Sequence, residues 1–144
     1  MKLSEIKQLK DNLSMLLSEP NWREVVELAD YGKSDFMVNG VRFIAFHAID
    51  EIQQEELLSD MYILGCFNAS FIANILSTDV EAIEAMQEAD AFEGIGKMLV
   101  PHIEEVQEQY SSADGYGHHF NSYDFSEEEM TIAGNDYHVF DLRA

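Results

Sequence analysis

Apolar residues recur at helical spacing from the start of the chain. Leu3, Ile6, Leu9, Leu13 and Leu16 predict an amphipathic helix over roughly Leu3 to Ser18. Asn21 and Glu24 stand at capping-box spacing ahead of Val25, Val26, Leu28 and Ala29, so a second helix is expected from Asn21 to the stop at Tyr31-Gly32. The period then changes. Phe36-Met37-Val38 and the run from Val41 to His47 flank Asn39-Gly40, the strongest short signal for a two-residue β-hairpin.

From Ala48 to Tyr110 the pattern is helical again. Asp50 to Asp60 reads as an acidic helix. Met61 to Leu76 is apolar nearly all round and is expected to form the central buried helix, with Cys66 in the core. Gly65, Ala69 and Ala73 would line a flat seam for a close neighbour. Thr78 and Glu81 give a second capping box that opens another helix, and Gly94 and Gly96 punctuate it. Leu99, Ile103, Val106 and Tyr110 mark a last helix, with Pro101 tolerable only in its first turn. Beyond Ser111 aromatic and polar residues alternate. Tyr137 to Leu142 reads as a strand that Glu129 to Ala133 can pair with across Gly134-Asn135. Helices, hairpin, helices and strands in that order predict one α+β domain over residues 1–144. A small antiparallel sheet, the hairpin near 36–47 plus C-terminal strands, would carry about five helices packed on it.

Composition sharpens this outline. The chain has 144 residues, a formal net charge of −20 and nine phenylalanines, six tyrosines and one tryptophan. So many aromatics separate it from a disordered acidic tail. Cys66 is the one cysteine, so no intrachain disulfide forms. The N-terminus lacks a signal-peptide pattern, and Met61 to Leu76 is shorter than the roughly 20 residues of a membrane span. A cytoplasmic protein is expected.

The charge is unevenly placed. Between Phe43 and Leu142 there are 21 acids and one base, Lys97, whereas the other 44 residues balance seven acids with seven bases. Two like charges about 6 Å apart in water repel by about 0.7 kcal/mol before screening. Acidity of this degree disfavours direct contact with nucleic acid or anionic membrane and favours a basic partner. The acids fall in rows. Glu81, Glu84 and Glu88 lie at i, i+3 and i+7, which on a helix are axial steps of about 4.5 and 6 Å. Glu104, Glu105 and Glu108 repeat the arrangement, as do Glu51, Glu55 and Glu56. Glu127, Glu128 and Glu129 form a further cluster. Such rows approach the charge spacing of a duplex, about one per 1.7 Å, and resemble in surface character the anti-restriction, anti-CRISPR and other DNA-mimicking proteins. Immunity proteins of nuclease toxins are also often acidic. The expectation is a non-enzymatic inhibitor whose nine glutamates enter the basic groove of a nuclease or similar nucleic-acid-binding protein. No cofactor is expected, and a homodimer is compatible with the sequence.

One other constellation has chemical potential. Asp114, His118, His119 and Asp124 bring metal-ligand types close together in the sequence and would support a metal-binding protein or metal-dependent enzyme. Adjacent histidines on a strand diverge, and the spacing fits no HExxH, EF-hand or zinc-finger pattern. His47 and His102, beside apolar residues, are expected to be structural. Gly32-Lys33-Ser34 fails as a phosphate loop because position 27 is Glu. Gly94-Ile95-Gly96 fails as a dinucleotide fingerprint because position 99 is Leu.

Overall fold

Asn39 and Gly40 both adopt positive φ, 47° and 81°, the pair of angles a type I′ turn needs. They join β1 (Asp35–Val38) to β2 (Val41–Ala45) in the expected hairpin. The computed structural model describes residues 17–121 and 123–143. The helix expected from Leu3 therefore lies outside the described residues but for its last two positions, where Leu17 is buried.

The fold is α+β. Helix α1 (Glu19–Asp30) begins two residues before the expected Asn21 cap. The Asn21 and Trp22 amides donate to the Ser18 carbonyl, which makes Ser18 the cap residue and places Asn21 inside the helix. Gly32, at φ 82°, ends it as expected. The C-terminal hairpin consists of β3 (Glu128–Ile132) and β4 (Asn135–Asp141). Its turn is Ala133-Gly134, at φ 52° and 81°, one residue earlier than the expected Gly134-Asn135. The four strands form an antiparallel sheet in the order β1-β2-β4-β3, with Phe43 opposite Val139 and Ile44 opposite His138.

Both faces of this sheet are covered, which is why Tyr137, His138, Val139 and Phe140 are all buried. On one face Trp22, Val25 and Ala29 of α1 pack in a cluster with Val41, Phe43, Tyr137 and Val139. On the other, α8 (Tyr116–Phe120) sets Phe120 against Phe140 and Tyr116 against His138. The histidine segment is thus a short helix and not a strand or loop. Its start requires Gly115 at φ 78°.

The remaining helices belong to a second compact unit. The chain divides into Met1–Ile49 with Asp114–Ala144, the sheet unit, and Asp50–Ala113, the helical unit. Helix α2 (Ile49–Leu58) opens the latter. The single buried helix expected over Met61–Leu76 is instead two: α3 (Met61–Leu64) and α4 (Ala69–Leu76). Asp60 caps α3 by accepting from the Tyr62 and Ile63 amides, and Asn68 caps α4 through the Ser70 amide. Each polar residue offers the backbone a local partner that a through-going helix would forgo. Cys66 sits exposed in the turn between them, contrary to the expected core position, its thiol donating to the Tyr62 carbonyl.

The seam of Gly65, Ala69 and Ala73 is dismantled by the same break. Gly65 instead meets α6 (Phe92–Leu99), where a Cβ would lie 1.9 Å from the Phe92 carbonyl oxygen. Gly96 does the reverse, its Cβ position being 2.0 Å from the Met61 oxygen. The two helices therefore touch backbone to backbone. Gly94 and Gly96 lie inside α6 rather than punctuating the chain. The break before α6 falls at Asp90, in the left-handed region at φ 59°. Helix α5 (Val80–Glu88) is preceded by Asp79 with no side-chain cap bond. Thr78 is diverted from the expected box because its amide closes α4 on the Ala73 carbonyl, with Ser77 at φ 53°. Pro101 lies in a 3-10 turn (Val100–His102) leading into α7 (Ile103–Asp114), where a missing N–H costs nothing. Leu64, Ile72, Ile83, Ile95, Leu99 and Val106 form the core of this unit.

Candidate protein-interaction surface

All nine singled-out glutamates fall within the helical unit. On α5, Ile83 is buried while Glu81, Glu84 and Glu88 are exposed. On α7, Val106, Gln107 and Tyr110 face inward and leave Glu104, Glu105 and Glu108 exposed. On α2, Gln53 and Leu57 are buried, Glu51 and Glu55 are exposed, and Glu56 is half-buried. One hydrophobic periodicity thus sets both the core face and the acidic face of each helix.

This unit carries fourteen acids and one base. The base, Lys97, is 3.5 Å from Glu93 with both side chains well exposed, a pair that contributes little. Among the described residues no ion pair engages Glu51, Glu55, Glu81, Glu84, Glu88, Glu104 or Glu108, and Glu105 accepts only a neutral hydrogen bond from Gln109. An ordinary surface helix relieves such rows with lysines four residues away. Here the carboxylates stay open to an external cation.

Two of the helices that display them, α2 and α7, are pinned by an amide network. Gln107 donates to Gln53 and to Asp50, and Gln54 donates to Gln107. This fixes α7 against α2 with directional bonds in a place where apolar contact alone would allow sliding. None of these three glutamines stands out in the sequence, because each looks like any polar residue on a helix.

The metal-ligand constellation is not assembled. Among the described residues no three His, Cys, Asp or Glu side chains converge to hold a metal ion. His118 stacks on Phe125 and His119 meets Phe120 edge-on, while Asp114 is exposed at the end of α7. Asp124 accepts from Ser126 and Asn121, and the Ser126 hydroxyl chiefly holds its carboxyl below the usual range. A cleft of about 150 Å³ lies beside it, lined by Asp124, Ser126, Glu128, Asp141 and Arg143. One of its acids is already taken: Arg143 binds Asp141 through both oxygens and lowers its pKa. His47 and His102 are both exposed.

No protein-family model matches this chain, and no curated protein or solved structure is detectably similar to it. Among the described residues no helix is long and apolar enough to cross a membrane.

Proposed function

We propose that this chain is a non-enzymatic acidic inhibitor. Its helical unit stands in for nucleic-acid phosphates and occupies the basic groove of a DNA- or RNA-acting protein. The observation that carries the reading is the set of exposed carboxylates on α2, α5 and α7, in a unit with one lysine. Arginines and lysines that grip phosphates pair with carboxylates in the same way. The biological setting is of the anti-restriction, anti-CRISPR or nuclease-immunity type, acting in the cytoplasm.

The test has two stages. Tagged protein is used to recover partners from nuclease-treated bacterial lysate at low and high salt, and the recovered enzyme is then assayed for inhibition. A nucleic-acid-processing enzyme that is held at low salt, released at high salt and inhibited in a pure assay is expected. Glu81→Lys, Glu84→Lys and Glu88→Lys together should abolish inhibition and leave the protein as stable as before or about 1 kcal/mol more stable at low salt. A triple variant that inhibits as well as the parent would remove these rows from the binding surface.

A further inference from the structure

The acidic unit also exposes large apolar side chains where a solvated face needs none. Tyr62 and Ile63, neighbours on α3, are 53 % and 62 % exposed. We infer that Tyr62 and Ile63 are the apolar anchor of this surface and receive a basic, amphipathic segment of a partner protein. The inference rests on the inhibitor reading and adds to it the kind of segment recognised.

Three features support the assignment. The first is pre-organisation. Asp60 caps the turn, and the two glycine contacts seat α3 backbone to backbone on α6. The Tyr62 ring rests 5.1 Å from that of Phe92, so little ordering remains to be done on binding. The second is the charge beside it. Asp60 and Glu93 are both exposed, Glu93 in a solvent-screened pair with Lys97, and each stands next in sequence to a residue of this contact, Met61 and Phe92. The third decides between occupants. A second copy would bring two units of fourteen acids and one base together, which like-charge repulsion opposes. A segment with arginines flanking apolar side chains meets both demands, since arginine also stacks on a tyrosine ring. Carboxylate rows speed encounter with any polycation, and a buried aromatic contact slows departure of the right one.

Two synthetic peptides of equal length and equal arginine content serve as probes, one interleaving arginine with leucine and the other with serine. Affinities are measured by fluorescence anisotropy across a salt series. The parent protein should bind the arginine–leucine peptide about tenfold more tightly. Tyr62→Ser with Ile63→Ser should erase that preference and leave affinity for the arginine–serine peptide unchanged. Tyr62→Phe with Ile63→Leu should keep it. Glu81→Gln, Glu84→Gln and Glu88→Gln together should weaken both peptides alike. Equal affinity for the two peptides, or a preference that survives the serine variant, overturns the anchor while leaving the acidic surface in place. Failure of the parent to bind either peptide overturns both. If the glutamine variant binds both peptides as the parent does while the serine variant loses the preference, the anchor stands and the glutamate row falls.

Discussion

The two units contain the same number of acids, fourteen each, and differ in bases, seven in the sheet unit against one in the helical unit. The sheet unit uses its arginines to tie acids down. Arg42 binds Asp35 through both oxygens, with the guanidinium also over the Phe120 ring, and Arg143 does the same for Asp141. The helical unit ties its chain down with the capping side chains of Asp60 and Asn68, buried amides and glycine contacts, and among the described residues leaves Glu51, Glu55, Glu81, Glu84, Glu88, Glu104 and Glu108 without an ion pair. Asp35 and Asp141, neutralised in one unit, serve structure, and the unpaired glutamates of α5 in the other are free for a partner. The contrast also explains why the charge is tolerable: the contacts that hold the helical unit together do not depend on cancelling it.

The sharpest way to break the helical unit is therefore through its glycines and not its charges. Gly96→Val places a Cβ against the Met61 backbone, which has no side-chain freedom with which to yield. A loss of about 3 kcal/mol or more is expected, at the upper end of overpacking. Gly94, two residues earlier in the same helix, has nothing within 4 Å of its Cβ position. Gly94→Ala should stabilise by about 0.5–1 kcal/mol through helix propensity alone. Urea unfolding followed by far-UV circular dichroism measures both. Equal effects at the two positions would mean that α3 and α6 do not touch as described.

Each unit also buries an amide hub, and the two should differ in cost. Asn121 is fully buried. Its amide nitrogen donates to the Asp124 carboxylate and to the Ser126 and Asp141 carbonyls, and its oxygen accepts from the Tyr123 amide. Three of these four partners are backbone groups, which cannot turn away as a side chain can, so Asn121→Ala should cost about 2–3 kcal/mol. Gln107→Leu removes bonds to side chains, and Asp50 is exposed enough to turn to water. About 1–2 kcal/mol is expected there. The order of the two urea midpoints is the test, and a reversed order would make the glutamine network the stiffer hub.

These hubs mark the limit of what the sequence discloses. Asn39-Gly40 was legible because a type I′ turn restricts its residues so strongly. Ala133-Gly134 was misplaced by one because alanine at φ 52° leaves no compositional trace. The glutamate rows were legible too, since the spacing that buries Ile83 and Val106 turns Glu84 and Glu105 outward. The run from Met61 to Leu76 misled because hydrophobicity reports burial on average and says nothing of a glycine on a distant helix. The meeting of Gly65 with Phe92 and of Gly96 with Met61, which brings α3 against α6, has no local signature in that run. The bonds of Asn121 to Asp141, like those of Gln107 to Gln53, join positions far apart in sequence and carry no local pattern.

The smallest effect tests the sheet unit's use of charge. Glu127 departs from the neutralised pattern: partial burial, and then the nearby Glu129, raise its pKa above the usual carboxylate range. A group with a raised folded-state pKa contributes stability below its unfolded value, about 4.3, and loses it as pH climbs through the folded value. At neutral pH the charged Glu127 therefore works against the fold, and Glu127→Gln should stabilise. The side chain is 35 % exposed, so water screens the effect to a few tenths of a kcal/mol. The gain should fade toward about pH 3, where Glu127 is neutral in both states. Asp141 supplies the opposite slope. Its lowered pKa gives stability above the unfolded value that disappears as pH falls through the folded one, so Asp141→Asn should cost most at neutral pH and least in acid. Thermal unfolding of both variants across that range separates the cases. The His138 Nδ1 atom stands 3.8 Å from the Glu127 carboxylate. If Glu127→Gln destabilises at neutral pH, the carboxylate is held in place by its neighbours and Glu127 joins the tied-down acids of its unit.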